Sequence, residues 1–156
     1  MKFMEEATQL GYKACSKEEI PIGAVIVKDN KIIAKAFNKR EKSQVATHHA
    51  EILAIEKACK KLHSWRLDDC DIYVTLEPCP MCAGAIMNAR IRNVYYAVKD
   101  TDNGGQSKFN IFDKALNHTA NCFQIKENEL ENKELIQNFF KTKRKIQKSL
   151  KKSEKK

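Results

Sequence analysis

The sequence predicts an α/β fold in three layers, α/β/α, with a mixed central sheet of about five strands. Short segments rich in β-branched and aromatic residues alternate along the chain with longer segments whose apolar residues recur every three or four positions. The order of these segments is helix, hairpin, helix, strand, helix, strand, and then a last strand and helix. Such alternation is typical of a sheet that lies between two layers of helices.

The first half of the chain predicts a helix, a hairpin and a second helix. Asp29-Asn30 is a turn pair between two apolar runs, and Thr47 or His48 is a candidate cap for the second helix. Glu51 lies in the first turn of that helix, where the helix dipole favours an acidic residue. The predicted segments are Met1 to about Cys15, Ile22–Val27, Lys31–Phe37 and His49 to about Leu62.

The second half predicts a strand that passes directly into a helix, followed by a strand and a long helix. Pro78 and Pro80 end the strand before the helix begins. Residues 99–108 include Asp102–Gly105 and predict a turn or mobile loop, and short elements fill 111–125. The predicted segments are Asp71–Glu77, Met81–Arg90, Asn93–Val98 and a helix from about Glu127.

The composition is that of one globular domain. The chain has 156 residues, of which 42% are hydrophobic and 31% charged, with only 5 Gly and 3 Pro. These values exclude collagen-like and low-complexity chains. The apolar run from Ile20 to Val27 is too short to span a bilayer, and residues 1–6 lack the pattern of an export signal. We therefore expect a cytoplasmic protein with no membrane partner.

Positive charge is concentrated at the end of the sequence. The net charge is +9, from 29 Lys and Arg against 20 Asp and Glu, and residues 141–156 hold eight Lys, one Arg and one Glu. We therefore divide the chain into a domain of residues 1–140 and a basic helix end or tail of residues 141–156. Such a segment attracts phosphates, although a charged terminus is commonly only a solvated end.

Cysteine spacing indicates a metal site rather than disulfides. Without an export signal, three disulfides are not expected from the 6 cysteines. Cys79 and Cys82 form the closely spaced pair, whereas isolated cysteines behave as small buried hydrophobes. The cysteines that we assign to packing are Cys15, Cys59, Cys70 and Cys122.

Two short motifs open two of the predicted helices. His49-Ala50-Glu51 opens one, and Cys79 and Cys82, preceded by Pro78, open the other. Residues three apart share a helix face, and side chains of a first turn can all reach a point beyond the helix end. If the two helices converge, His49, Cys79 and Cys82 supply three metal ligands, and cysteine thiolates favour zinc.

Three protein ligands indicate a catalytic zinc ion, because a structural zinc site normally has four. The open position suits a water molecule, and Glu51, two residues from His49, is placed to accept its proton. Neither motif is sufficient alone, since Cys-x-x-Cys also occurs in redox pairs and in halves of structural zinc sites. Together they predict one Zn²⁺ per chain, with Glu51 as the catalytic base.

These residues resemble the zinc-dependent cytidine and deoxycytidylate deaminase superfamily, whose pattern is His-x-Glu followed by Pro-Cys-x-x-Cys. Within it, the chain resembles bacterial tRNA-specific adenosine deaminases over about residues 3–144, above all in Pro21–Val27, Asn38, Thr47–Glu51 and Tyr73–Ala85. The resemblance implies a cytidine-deaminase-like fold. It also implies conversion of adenosine to inosine at the wobble position of a tRNA anticodon stem-loop, by a homodimer without a nucleotide cofactor.

The resemblance and the reaction chemistry assign roles to single residues. Glu51 would take the water proton, pass it to N1 of the purine while hydroxide attacks C6, and later protonate the departing ammonia. Asn38 resembles the family residue that hydrogen-bonds the inserted base, and backbone groups near Ala50 and Glu77 add contacts. The predicted substrate-binding residues are Asn38, Ala50, His118, Phe140 and Arg144.

Two other functions stay open on the sequence alone. A deaminase of the same superfamily that acts on a free base or nucleoside, of the guanine or cytosine type, would use the same zinc ion and Glu51. The basic tail would then only improve solubility. A structural-zinc RNA-binding module would bind RNA without turnover, and replacing Glu51 with Ala would leave its binding unchanged.

Overall fold

The computed structural model describes residues 2–113 and 118–156, and its helices and strands follow the predicted order. Two short 3₁₀ helices, Ile111–Asp113 and Lys126–Asn128, flank the last strand. The regular elements are α1 (Lys2–Ser16), β1 (Gly23–Lys28), β2 (Lys31–Phe37), α2 (Arg40–Ser43), α3 (Ala50–Leu62), β3 (Cys70–Leu76), α4 (Pro80–Asn88), β4 (Asn93–Val98), β5 (Asn121–Gln124) and α5 (Glu129–Glu154).

The strands that the structure describes form one mixed sheet of five, in the order β2-β1-β3-β4-β5. β1 is antiparallel to β2 and β3, whereas β3, β4 and β5 run parallel to one another. The predicted hairpin is confirmed: Asp29 and Asn30 have φ angles of 50° and 61°, as a tight turn between right-twisted strands requires.

Helices cover both faces of the sheet, so the predicted three-layer α/β/α architecture is confirmed. Side chains alternate between the faces along a strand. In β1, Ile26 belongs to a buried cluster with Ala54 of α3 and Ile86 of α4. The next side chain, Val25, belongs to a second cluster with Met4 of α1. α5 packs on this second face, against β4 and α1.

This topology brings the starts of two helices to one edge of the sheet. Leu76 and Val98 are paired at the carboxyl ends of the parallel strands β3 and β4. β3 leads into α4 through Glu77 and Pro78, and α3 begins at the same edge, in contact with α4. The sheet therefore places the two predicted motifs next to each other.

Two details differ from the sequence-based expectation. The N-cap of α3 is His49 rather than Thr47 or His48, and it makes no side-chain capping bond because its ring turns toward the cysteines. The short helix α2 was not expected. α5 runs without interruption through residues 140 and 141, and residues 141–156 are exposed. No helix in residues 2–113 or 118–156 is long and apolar enough to cross a membrane.

Candidate functional site

His49, Cys79 and Cys82 converge as the sequence predicts. Their potential ligand atoms all lie within 4.8 Å of one another. Nδ1 of His49 is 3.7 Å from Sγ of Cys79 and 3.6 Å from Sγ of Cys82. One imidazole and two thiolates form a donor set that zinc prefers, and three ligands leave a coordination position open.

Local backbone conformation explains how each ligand reaches the cluster. His49 and Cys79 are the N-caps of α3 and α4, both in extended conformation, with ψ angles of 156° and 171°. Pro80 occupies the first turn of α4, where its missing N–H costs no hydrogen bond. Cys82 follows in the same turn and is buried, so both sulfurs lie at the start of α4.

Hydrogen bonding within the cluster separates the acidities of the two thiols. The hydrogen bond from Cys82, followed by that with His49, lowers the pKa of Cys79 to about 4. The same pairing and burial raise the pKa of Cys82. The hydrogen bond to Cys79 raises the pKa of His49. Hydrogen bonding within the cluster thus favours the thiolate form of Cys79, which is the form that binds a metal ion.

Glu51 lies buried next to these ligands, in the first turn of α3. Its side chain is 4% exposed, and burial raises its pKa to about 7. Oε2 is buried and has no hydrogen-bond partner among the residues that the structure describes. Buried carboxylate oxygens are normally paired, so this oxygen fits a site whose missing partner is a water molecule held by a metal ion. The residues present therefore fit a catalytic zinc ion.

A cavity of about 730 Å³ opens above Glu51 and the ligands His49 and Cys79. Its lining includes residues 99–103, which follow β4, and Ile136 and Phe140 of α5. The volume suits a nucleoside and part of its chain neighbours. The cavity is therefore large enough for a base to reach Glu51.

The structure places three of the five predicted substrate-binding residues in this cavity. Asn38, Ala50 and Phe140 line it. Arg144 lies one helical turn beyond Phe140 and is exposed, outside the described lining. His118 lies elsewhere: its Nε2 is 2.8 Å from the carbonyl oxygen of Ile91, before β4 and so at the opposite edge of the sheet.

Comparison with known proteins assigns the chain to a family. A family profile described as MafB19-like deaminase matches residues 1–144. The tRNA-specific adenosine deaminase of Aquifex aeolicus is 42% identical over 141 residues, which cover 89% of this chain and 92% of that protein. The chain belongs to the tRNA-specific adenosine deaminase family. The enzyme of the same name from Bacillus subtilis is 49% identical over 102 residues, 65% of this chain and 63% of that protein.

Two solved structures are similar to this member of the tRNA-specific adenosine deaminase family. One, from a study of A-to-I editing by tRNA:A34 deaminases at the wobble position, is 40% identical with a TM-score of 0.82. It covers 86% of this chain and 98% of its own. Another, of a guanine deaminase from Bacillus subtilis, is 48% identical with a TM-score of 0.62 and covers 65% of each chain.

The carboxylate of Glu77 holds the loop after β4 in place, a role that the sequence did not predict. Glu77 is buried and accepts hydrogen bonds from the hydroxyl and the backbone N–H of Ser107. The backbone N–H of Gly105 donates to the carbonyl of Pro78 at 2.7 Å. These bonds fix the loop after β4, including the part that forms a cavity wall. In the sequence, only the predicted turn or loop around residues 102–105 indicated an irregular segment here.

A second buried carboxylate, Glu19, supports the segment that carries Asn38. Its two oxygens accept the backbone N–H groups of Glu41 and Lys42, each at 2.9 Å, and so cap α2. Oδ1 of Asn38 accepts the N–H of Arg40 at 3.0 Å. Nothing in the sequence pairs position 19 with positions 41 and 42, because the bonds join residues more than twenty positions apart.

Proposed function

We propose that this chain hydrolyses adenosine to inosine at the wobble position of a tRNA anticodon loop, with one zinc ion per chain. The observation that carries the proposal is the position of Glu51, buried beside three metal-ligating side chains on the floor of a cavity of nucleoside size. The 42% identity to a tRNA-specific adenosine deaminase over most of both chains supports the substrate. A tRNA substrate supports a cytoplasmic location for the protein.

His49, Cys79 and Cys82 would hold the zinc ion. When bound, zinc supplies a Lewis acid that lowers the pKa of a water molecule, although two thiolates weaken this effect relative to three histidines. The thiolate of Cys79 and the ring of His49 are already oriented toward a common point. The ion therefore needs little rearrangement of the chain in order to bind.

Glu51 moves the protons of the reaction. It accepts a proton from the attacking water and delivers it to N1 of the purine while the C6–O bond forms. Glu51 then transfers the proton of the new C6 hydroxyl to the amino group, so that the C6–N bond breaks, the C6 carbonyl of inosine forms and ammonia leaves. Since burial raises the pKa of Glu51 to about 7, both its protonated and its ionised forms are populated near neutral pH. One group can then act first as base and later as acid.

Asn38 and Phe140 would orient the base above Glu51. Oδ1 of Asn38 is occupied by the N–H of Arg40, so its amide Nδ2 is the group that remains to donate to a ring nitrogen. Phe140, 38% exposed on the cavity wall, offers a ring face for a base. Backbone groups at Ala50 and the exposed Arg144 are further proposed contacts.

A homodimer is proposed on the family resemblance. Met81 of α4 and Phe109 of the loop after β4 are 37% and 44% exposed. Exposed large apolar side chains that gather in one patch mark surfaces that a partner covers. Light scattering of the purified protein tests the dimer, and a mass near 18 kDa rather than 36 kDa contradicts it.

Contact between His118 and RNA stays a prediction, since His118 lies at the opposite edge of the sheet.

The alternative function is deamination of a free base, and the likeness to a guanine deaminase structure favours including it in the test. Zinc-loaded protein is given an anticodon stem-loop with adenine at the wobble position, or free adenosine, guanine or cytidine, and inosine and ammonia are measured. We expect turnover on the RNA alone, and none with Glu51→Ala. Turnover on free guanine without RNA turnover would replace the tRNA proposal by the free-base alternative.

A further inference from the structure

Five lysines gather around one recess on the outside of the domain, next to the segment that carries Asn38. The recess has a volume of about 320 Å³, and Phe37 lies in its lining. The ammonium groups of Lys13 and Lys39 lie 5.5 Å and 5.1 Å from the centre of the Phe37 ring. We call this surface the lysine recess, and its lysines are Lys13, Lys17, Lys39, Lys42 and Lys57.

These lysines have almost no opposing charge. Within the described residues, none of the five makes an ion pair within 4.0 Å. The one acidic residue of the described lining is Glu19, and both of its oxygens already accept backbone N–H groups of α2. The recess therefore carries a formal charge of five ammonium groups against one carboxylate that is already hydrogen-bonded.

The five lysines repel one another, and no acidic side chain of the described residues forms an ion pair with them. Burial, followed by the charges of Lys39 and Lys13, lowers the pKa of Lys57. The ammonium of Lys57 is also held in place by the carbonyl of Lys35 at 2.8 Å. A group of like charges held together costs folding free energy, and an anion that bound there would offset that cost.

The lysine recess adjoins both the segment that carries Asn38 and a groove beside α5. Asn38 and Arg40 line the catalytic cavity, and Lys39 between them lines the recess. Lys17 and Lys42 also line a groove beside α5, together with Lys143 and the acidic residues Glu18 and Glu41. A strand of nucleic acid whose base entered the cavity would therefore pass close to the lysine recess.

We propose that the lysine recess binds phosphodiester groups of the RNA backbone near the target nucleotide. The inference rests on the proposed function, since it takes RNA as the ligand. The RNA backbone fits the recess because each of its phosphodiester groups carries a negative charge, so several lysines can be paired at once. A single carboxylate would leave most of the lysines unpaired. Sequence analysis located positive charge only in residues 141–156; folding creates this second basic surface from three separate parts of the chain.

The test compares two triple variants that remove the same charge. The recess variant is Lys13→Gln, Lys17→Gln and Lys42→Gln, all at exposed positions. The control variant is Lys28→Gln, Lys31→Gln and Lys61→Gln. Lys28 pairs with the start of β3 and Lys61 is near the end of α3, so the control lysines lie at the edge of the sheet opposite the candidate site.

The affinity of each protein for the anticodon stem-loop is measured between 50 and 300 mM salt. Each lost phosphate contact reduces the slope of log affinity against log salt by about 0.7 to 0.9. We therefore expect the recess variant to lose about two units of slope and to bind about tenfold or more weakly near 0.1 M salt. The control variant should keep an RNA affinity within about threefold of that of the unaltered protein, and its kcat at saturating RNA should be unchanged.

Each outcome decides the proposal. The proposal is wrong if the recess variant and the unaltered protein have equal RNA affinities and equal salt dependences. Deamination of the RNA by both proteins would in that case still support the proposed function. Binding of inorganic phosphate that only the recess variant loses, with RNA affinity unchanged, would assign the recess to a free anion and also overturn it. If the unaltered protein neither binds nor deaminates RNA, the function and the inference fail together.

Discussion

Glu51 has surroundings unlike those of an ordinary surface carboxylate. It lies in the first turn of α3, where the helix dipole favours its ionised form, but burial outweighs this effect and raises its pKa to about 7. One oxygen has no partner among the described residues. A carboxylate that served only to stabilise the helix would be exposed to water, as Glu56 is in the same helix.

Replacement of Glu51 by Gln should abolish turnover and leave zinc and RNA binding intact. The amide keeps the shape of the side chain but cannot accept a proton, so kcat should fall by about 10²- to 10⁴-fold. Glu56→Gln in the exposed part of α3 is the matched control and should keep full activity. A Glu51→Gln variant with a tenth of the original kcat would contradict the proposed proton transfer.

Replacement of Cys82 by Ala should remove the metal. Two ligands hold zinc poorly, so the variant should contain far less than one zinc ion per chain by elemental analysis. It should also lose the stabilisation that a bound metal gives, about 2.7 kcal/mol when free zinc is at 100 times its Kd. Cys59→Ala, outside the cluster, should keep its zinc. A Cys82→Ala protein with one tightly bound zinc ion would refute the assignment of the ligands.

At the scale of elements, the loop after β4 depends on the close approach of backbone to a buried carboxylate. A Cβ atom at Gly104 would overlap the carboxylate of Glu77 and the carbonyl of Asp100, whereas one at Gly84, in α4, would meet no atom within 4 Å. Asp100 itself accepts the N–H groups of residues 102 and 103 and lines the cavity. The position of this wall therefore depends on glycine at 104.

Gly104→Ala should displace the loop, whereas Gly84→Ala should not. We expect the first variant to lose about 1 to 3 kcal/mol of unfolding free energy, the usual cost of overpacking, and to raise KM for RNA. The second should be neutral or up to about 1 kcal/mol more stable, because Ala favours a helix over Gly. Denaturant unfolding measures both. Equal stability of the two variants would show that the loop is not fixed by Glu77.

At the scale of the whole molecule, charge is distributed unevenly even though residues 1–140 are nearly neutral. Those residues hold 20 basic and 19 acidic side chains, and residues 141–156 add a net charge of +8. Residues 141–154 are the exposed last part of α5, so this charge extends from the domain on a rigid element. The lysine recess provides a second basic region on the domain itself.

Deletion of residues 141–156 should weaken RNA binding without unfolding the domain. The deleted part is exposed, so the melting temperature should change by no more than about 2 °C. The affinity for RNA should fall and depend less on salt, because up to nine cationic side chains are removed. Filter binding at several salt concentrations measures this. An unchanged salt dependence would mean that the tail is only a solvated end.

The sequence by itself determined the order of the elements, the three candidate metal ligands and the neighbouring Glu51. Periodicity and turn residues act over a few positions, and each half of the cluster is one short motif at a helix start, so this information is local. The family resemblance then led from those residues to the reaction and to Asn38.

Only the tertiary structure decided which distant side chains share a surface. The bonds of Glu77 to Ser107 and of Glu19 to α2 join residues 20 to 30 positions apart, and the lysine recess gathers residues from α1, α2 and α3 and from the end of β2. It also decided that Asn38 and Phe140 line the cavity while His118 lies at the opposite edge. Long-range contacts depend on how whole elements pack, and residue spacing along the chain does not specify that packing.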